Sequence, residues 1–381
     1  MKILICNDYI YMGGVETILH CIVDWFVKKG YDVTVMACPP ELETLRKAFP
    51  KGVHCILSRW PKKQYKRFSI PFFFNYFARK IYRALFLAFM RFKKYDVCIA
   101  LKEWFPVLDC LKVRAKKKYA FIHCDLSDFT GYVNYVFGSL SKAKNVMMQY
   151  DKVICVSATA RTGFIETIGD TGNLSIKYNP IDYKRIIKLS KEACSYQKDP
   201  SRFLIVAVGR LTPKKNFLTL LESCKLLKDN SNFDLWIIGD GSQRAELEDY
   251  IKVNQLNNVS LLGFHENPYP IIMQADLFVS SSVSESYGLA VQEALIFQVP
   301  VIAVKCPGII ESFDTRFGVL VDNSANALAN TIADFIKDPS LSASYRESIR
   351  QNLKPSSLYE DRLEDICDLW EPIHQKREKE L

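Results

Sequence analysis

Short apolar runs alternate along the chain with amphipathic stretches. The first run is Lys2–Cys6, and Tyr31–Ala37 is the second. Between them, apolar side chains recur every three or four positions from Ile18 to Phe26, as on one face of a helix. Buried strands separated by amphipathic helices are typical of βαβ units with a parallel sheet. The pattern therefore predicts a doubly wound α/β domain at the start of the chain.

The same alternation begins again in the second half of the chain. Phe203–Val208 is an apolar run, and further runs follow at Leu235–Ile238, Val259–Leu262 and Val299–Val304. A chain of 381 residues is long enough for two domains of ordinary size. We therefore expect two doubly wound domains.

Composition places the chain among globular proteins, with 49% hydrophobic and 24% charged residues. The 12 cysteines show no Cys-x-x-Cys spacing and predict reduced thiols. The first apolar run is too short for a signal peptide, and no run of about 20 uncharged apolar residues predicts a transmembrane helix.

Positive charge is concentrated in the first half of the chain. Residues 1–180 contain 28 Lys and Arg against 14 Asp and Glu, and no acidic residue lies between Glu43 and Asp96. Residues 74–92 predict an amphipathic helix with one basic face. Basic and aromatic residues at this density, over about 59–94, favour a membrane surface that carries anionic lipids. An ordinary packed helix with a solvated basic face is the alternative, and no RNA or DNA motif supports a nucleic acid partner.

A Ser-rich loop after the short apolar run that ends at Phe278 and Val279 carries candidate chemistry. It ends at Glu285 and Gly288, and the helix that follows contains Glu293. Backbone N–H groups at such a loop–helix junction favour phosphate, and Gly288 allows close approach of a ligand. Glu293 can accept ribose hydroxyls, and Glu285 can bind hydroxyls beyond the phosphates. Two solvated carboxylates at a helix start would give the same pattern.

A second candidate loop follows Phe203–Val208. Gly209 and Arg210 end this strand, and Lys215 precedes the next helix. A guanidinium and an amine can both reach a diphosphate. A basic solvated loop is the alternative.

The spacing of Glu285 and Glu293, with Ser286–Leu289 between them, resembles the paired-glutamate motif of retaining glycosyltransferases with the GT-B fold, in the large family numbered four. The loop Gly13–Glu16 matches that family's N-terminal loop, which lies against the donor phosphates and the acceptor. Two positions depart from the family pattern, because Gln298 and Asn216 stand where the family usually has Gly.

The resemblance implies two Rossmann-like domains facing a central cleft, with a C-terminal helix that crosses back to the first domain. Residues 1–183, together with a helix at about 365–381, would form the acceptor-binding domain, and residues 184–364 the nucleotide-sugar-binding domain. The implied catalytic residues are His123, Arg210, Lys215 and Glu285, with His123 contacting the donor sugar. The implied donor-binding residues are Gly13, Gly14, Gly209, Gly239, Gly263, Phe264, His265, Tyr287, Gly288, Leu289 and Glu293.

The implied reaction is transfer of a hexose or N-acetylhexosamine from a UDP-sugar to a lipid-linked or saccharide acceptor, with retention of anomeric configuration. It would serve bacterial surface polysaccharide or glycolipid synthesis in a cytoplasmic protein that is peripheral on the inner face of the membrane. The sequence contains no Asp-x-Asp, so we expect no metal and no cofactor. A nucleotide-sugar 2-epimerase and an inactive sugar-nucleotide-binding protein are the alternatives.

Overall fold

The computed structural model describes residues 1–8, 14–37, 46–57, 81, 85–86, 88–90, 92–227 and 232–371. Its contacts divide the chain into two units. The first unit contains Met1–Pro180 and the chain from Glu360 onward, and the second contains Ile181–Tyr359. Each unit is built around one sheet, and all strand pairings among the described residues are parallel. The predicted α/β class with two sheets is confirmed.

Seven strands form the described sheet of the first unit, in the order β3-β2-β1-β4-β5-β6-β7. Their central positions are almost fully buried, because helices cover both faces of a parallel sheet. The strands are β1 (Lys2–Cys6), β2 (Asp32–Ala37), β3 (His54–Leu57), β4 (Lys94–Ala100), β5 (Arg114–Ile122), β6 (Lys152–Cys155) and β7 (Leu174–Ile176). The sequence pattern missed β3 and β7, which are short and only partly buried.

The helices in the described part of the first unit lie between the strands. They are α1 (Gly14–Lys28), α2 (Phe105–Leu111), α3 (Thr130–Phe137), α4 (Leu140–Met147) and α5 (Ala158–Ile168). Described residues from Glu360 to Glu371 also pack on this unit, as predicted for the C-terminal segment. Glu364 pairs with Lys29 at 2.6 Å, and the Tyr119 hydroxyl donates to the Leu369 carbonyl at 2.7 Å.

The second unit contains six described strands in the order β10-β9-β8-β11-β12-β13. They are β8 (Phe203–Val208), β9 (Phe233–Ile238), β10 (Val259–Gly263), β11 (Leu277–Ser280), β12 (Val301–Val304) and β13 (Gly318–Val321). Its helices are α6 (Tyr183–Leu189), α7 (Phe217–Leu226), α8 (Arg244–Val253), α9 (Tyr269–Ile272), α10 (Leu289–Ile296), α11 (Pro307–Ser312), α12 (Ala325–Lys337) and α13 (Pro339–Asn352). The last helix, α14 (Pro355–Cys367), begins in this unit. None of the helices in the described parts of the chain has the length and apolar character needed to cross a bilayer.

Both positions that depart from the resembled family have a left-handed backbone. Asn216 has φ 51° and Gln298 has φ 59°. Asn tolerates this conformation better than most residues, and Thr219 donates a hydrogen bond to the Asn216 side chain at 3.0 Å. Gln298 lies just beyond the C-cap of α10, where helices favour Gly. The left-handed backbone therefore explains why the resembled family usually has Gly at position 298. In this chain Gln298 adopts that backbone at a steric cost.

The substitution Gln298→Gly should stabilise the protein by about 0.5 to 1 kcal/mol, because Gly removes the steric cost of the left-handed backbone. The free energy of unfolding in urea measures this change. Gln298→Ala is the matched control, since it removes the same side chain but keeps the Cβ. Equal stabilisation by both variants would contradict the explanation.

Candidate functional site

The predicted residues of the second unit lie at the carboxyl edge of its sheet. Gly209 and Arg210 follow β8, Gly239 follows β9, and Gly263 ends β10. The loop with Glu285 follows β11. Because the strands are parallel, these segments share one edge, which is where open α/β sheets bind ligands.

An ion pair joins the two candidate loops. The Lys215 ammonium contacts the Glu285 carboxylate, and both side chains are largely buried. The backbone reinforces the junction, because the Ser281 hydroxyl donates to the Lys215 carbonyl at 2.7 Å. The N–H of Val283 donates to the Lys214 carbonyl at 2.9 Å. The loops after β8 and β11 therefore hold a positive and a negative group side by side.

Glycines make room for this arrangement. A Cβ on Gly209 would lie 3.1 Å from the Lys215 Cδ atom, so the Lys215 stem passes close over this backbone. Gly288 is the N-cap of α10 with φ +69°, and a Cβ there would lie 2.5 Å from Ile309 Cδ1. No side chain caps α10 at this end. Its first N–H groups and its dipole therefore favour an anion.

Arg210 brings a second cation to the same loop. Its side chain is exposed. Among the residues that the structure describes, no carboxylate lies within ion-pairing distance of it. An exposed guanidinium beside a strand end can bind a diphosphate with two parallel hydrogen bonds. Arg210 and Lys215 thus differ, because the ammonium of Lys215 is already balanced by Glu285.

Glu293 lies in α10 and is held by a residue that the sequence did not reveal. The hydroxyl of Tyr269, in α9, donates to Glu293 Oε1 at 3.2 Å. Burial raises the pKa of Glu293 to about 7, and the Tyr269 hydrogen bond opposes that shift. The remaining acceptor sites of the carboxyl group can still receive ribose hydroxyls. Nothing in the chain order signals the Tyr269 contact, since the two residues belong to different helices.

The other predicted donor residues of this unit vary in exposure. Phe264 is 58% exposed, whereas Tyr287 is buried and Leu289 is half-buried. The ring of His265 is half-buried, with Nδ1 3.2 Å from the Gly263 carbonyl oxygen. The segment after β10 therefore offers one exposed ring and backbone groups to a ligand.

In the first unit, His123 follows β5 as predicted. Burial lowers the pKa of His123 to about 3, the charge of Lys102 adds to this, and the nearby Leu101 carbonyl opposes it. The imidazole is therefore neutral at physiological pH. The buried carboxyl group of Glu103 accepts hydrogen bonds from the backbone N–H of His123 at 3.3 Å and from the Cys124 thiol at 3.1 Å.

The N-terminal loop is only partly described. Gly14 begins α1, whereas Gly13 lies outside the described residues. Glu16, in the first turn of α1, is buried and pairs with Lys102. Sequence reasoning missed this ion pair, because the two residues lie on different elements of the first unit.

Two family models match the chain. The model of Glycosyltransferase Family 4 matches residues 12–185. The model of Glycosyl transferases group 1 matches residues 190–352. Solved structures with the same fold include HepE from Anabaena in complex with UDP, with a TM-score of 0.71 and 20% identity over 97% of this chain and 99% of that chain. The S. aureus protein TarM has a TM-score of 0.71 and 15% identity, over 95% of this chain and 98% of that chain.

Curated relatives match over shorter lengths. A Campylobacter jejuni N-acetylgalactosamine-N,N'-diacetylbacillosaminyl-diphospho-undecaprenol 4-alpha-N-acetylgalactosaminyltransferase is 28% identical over 58% of this chain and 62% of its own length. A Staphylococcus aureus poly(ribitol-phosphate) alpha-N-acetylglucosaminyltransferase is 29% identical over 43% and 34%. An uncharacterized glycosyltransferase of Methanocaldococcus jannaschii is 38% identical over 27% and 26%. The chain thus matches between a quarter and about six tenths of the length of these relatives.

These findings define the class of the protein. Two parallel α/β sheets and the solved structures place it in the GT-B fold. The two family models extend over both units, and the chain belongs to the group 1 glycosyltransferases.

Removal of the Glu293 charge should change how stability depends on pH. The pKa of Glu293 lies near 7 in the folded chain, above its unfolded value, so ionisation of this carboxyl group disfavours the folded state. The unfolding free energy of the native protein, relative to Glu293→Gln, should fall by on the order of 1 to 3 kcal/mol as pH rises from about 4.5 to 7.5.

Denaturant titrations across this pH range measure the difference. Substitution of the exposed Glu266 by Gln accounts for the general effect of losing one negative charge. A difference that is flat with pH, or that rises with pH, would show that the Glu293 carboxyl group is not disfavoured in its ionised form.

Proposed function

We propose that the protein is a retaining, metal-independent glycosyltransferase that uses a UDP-sugar as donor. The observation that carries this proposal is the meeting of Arg210, the Lys215–Glu285 pair and the uncapped start of α10 at one sheet edge. This edge offers cations and N–H groups to a diphosphate, with a carboxylate on either side for hydroxyls. The UDP complex of HepE supports uridine as the nucleoside.

The donor is held by both of its ends in this proposal. Glu293 accepts the ribose hydroxyls, and Glu285 accepts hydroxyls of the transferred sugar. Seven further residues surround the donor between and around these two glutamates in the proposal: Gly209, Gly239, Gly263, Phe264, His265, Tyr287 and Leu289. Gly13 and Gly14 belong to the N-terminal loop that the resemblance places against the phosphates.

Charge stabilisation is the main catalytic effect in this proposal. Negative charge develops on the β-phosphate as the glycosidic bond breaks. Arg210, Lys215 and the N–H groups at Gly288 stabilise that charge, so the proposed reaction does not need a metal ion. The neutral imidazole of His123 has one donor and one acceptor that can serve a sugar hydroxyl.

Arg210→Ala should weaken binding of UDP by about 10- to 100-fold, since it removes hydrogen bonds to a charged group. Isothermal titration calorimetry measures the affinity. Arg316→Ala is the matched control, because Arg316 is an exposed arginine of the same unit that pairs with Asp314 at 2.6 Å. Equal affinities for UDP in all three proteins would contradict the assignment.

Turnover separates the proposed reaction from its alternatives. Incubation with UDP-hexoses and UDP-N-acetylhexosamines should give a glycosylated product only when a saccharide or lipid-linked acceptor is present, with the anomeric configuration of the donor by NMR. Conversion of the donor to its 2-epimer without an acceptor would support the epimerase instead. UDP binding without any turnover would support an inactive binding protein.

We further propose that the acceptor lies at an anionic membrane surface on the cytoplasmic side. The diphospho-undecaprenol in the name of the Campylobacter jejuni relative supports a lipid-linked acceptor. Described helical residues near the end of the basic stretch expose large apolar side chains at a spacing of three or four, whereas Phe86 and Met90 between them are buried. The exposed fractions are Ile81 59%, Leu85 67%, Phe89 51% and Phe92 84%.

One side of this segment therefore packs on the unit and the other remains apolar in water. Lys93 lies 5.3 Å from the Phe89 ring centroid, so a cation accompanies the apolar side chains. This combination favours an anionic interface, where aromatic rings and basic groups both contribute. The rest of the predicted segment 59–94 falls mostly outside the described residues.

The double substitution Phe89→Ser and Phe92→Ser should reduce sedimentation with phosphatidylglycerol vesicles by about tenfold or more, because it removes two exposed apolar side chains that insert into the bilayer interface in this proposal. Leu226→Ser is the matched control, since Leu226 is a 55% exposed apolar side chain of the second unit. Phosphatidylcholine vesicles should bind less of the unmodified protein. Equal binding to both vesicle types would contradict the electrostatic part of the proposal.

A further inference from the structure

The carboxyl edge of the first unit's sheet contains polar side chains on neighbouring strands. Asn7 follows β1, Lys102 follows β4 and His123 follows β5. These strands are adjacent in the order β1-β4-β5, and the Leu101 N–H still donates to the Cys6 carbonyl beyond the strand ends at 2.9 Å. The three residues therefore lie along one edge of the sheet, on neighbouring strands that are about 4.8 Å apart.

Asn7 is an unusual member of this set. Its side chain is 3% exposed, yet neither its amide nitrogen nor its amide oxygen has a hydrogen-bond partner. Its backbone is satisfied, because its N–H donates to the Met36 carbonyl at 2.8 Å. Among the residues that the structure describes, only Asn7 and His123 have two buried polar side-chain atoms without a well-formed hydrogen bond, and the Leu101 carbonyl lies near the His123 ring. Such groups cost folding free energy, so a fold that keeps them at a ligand-binding edge points to a ligand that satisfies them.

The chemistry of these groups selects a class of ligand. An amide offers both donors and an acceptor, and a neutral imidazole offers one of each. A hydroxyl group both donates and accepts, so it satisfies either side chain, whereas a phosphate oxygen only accepts. The nearby Lys102 ammonium is already paired with Glu16. The edge therefore suits a neutral ligand rich in hydroxyls.

Aromatic rings next to this edge favour a sugar in particular. Trp104 packs edge-on against Tyr132 with 4.6 Å between ring centroids. Tyr132 in turn stacks with Tyr135 at 5.6 Å, and Tyr135 is 73% exposed. A sugar ring has apolar C–H faces as well as hydroxyls, and aromatic surfaces accept such faces.

We propose that Asn7 is a sugar-binding residue whose amide forms hydrogen bonds with a hydroxyl of the saccharide that the enzyme handles. This inference rests on the proposed glycosyltransferase function and adds a residue of the first unit, whereas the proposed nucleotide-binding loops belong to the second. The hydroxyl belongs either to the transferred sugar or to the acceptor, and the two have the same chemistry at Asn7.

The variant Asn7→Leu tests the proposal, because Leu has nearly the shape of Asn without its polar atoms. The melting temperature of the free protein should rise by about 2 to 4 °C, since the unsatisfied amide is gone. The value of kcat/KM for transfer should fall by about 10- to 100-fold, because the sugar hydroxyl loses its partner. Substitution of a purely structural residue would not raise the melting temperature and lower kcat/KM at the same time.

Asn173→Leu is the matched control. The Asn173 amide donates to the carbonyls of Met147 and Tyr150 at 3.1 and 2.8 Å, so its loss should lower the melting temperature. Kinetics of Asn7→Leu then identify the source of the hydroxyl. A change in KM for the UDP-sugar and in its hydrolysis without acceptor assigns the transferred sugar, and a change in KM for the acceptor alone assigns the acceptor.

An unchanged or lower melting temperature of Asn7→Leu would overturn the inference, because it would mean that the amide is satisfied, for example by a bound water. Unchanged kinetics would also overturn it, while the proposed function would stand on the activity of the unmodified protein. An unmodified protein without turnover of any UDP-sugar would remove the proposed function and this inference together.

Discussion

The ion pair between Lys215 and Glu285 joins two loops whose paired residues are 70 positions apart in the chain. Removing both charges from water has a cost, and such a pair persists where its geometry is fixed by other contacts. Here the contacts are the hydrogen bonds from Ser281 and Val283 to the carbonyls of the neighbouring loop. Gly209 and Arg210 lie in the same loop as Lys215, and α10 begins just after Glu285, so this junction holds these groups at one sheet edge. The donor half of the proposed site therefore depends on it.

Several groups at the two sheet edges lower stability in the free protein. The Glu293 carboxyl group is disfavoured in its ionised form, and the Asn7 amide and His123 ring are buried without good hydrogen bonds. Functional sites commonly retain groups that lower the stability of the free protein, because a bound ligand offsets this loss of stability. The two edges differ in chemistry, since the second unit offers cations and carboxylates whereas the first offers neutral polar groups beside aromatic rings. The edge of the second unit therefore suits a charged donor, and the edge of the first unit suits a neutral saccharide.

Local pattern was enough to predict the alternation of strands and helices and the loops after β8 and β11. Their residues are close in sequence, and parallel strands bring their carboxyl ends to one edge without further information. Contacts between distant segments could not be predicted in the same way. The hydrogen bond from Tyr269 to Glu293, the pair of Glu16 with Lys102, and the orphaned amide of Asn7 depend on packing that no short stretch encodes. The left-handed backbone at Gln298 has no signal in the residue itself, and only the Gly that the resembled family usually has there points to it.

The most direct test of the account is a crystal structure of the protein with UDP. We expect the diphosphate to lie between the Arg210 guanidinium and the start of α10, near the Lys215–Glu285 pair, with the ribose hydroxyls on the Glu293 carboxylate. UDP bound away from these side chains, in a protein that binds it tightly in solution, would contradict the central claim.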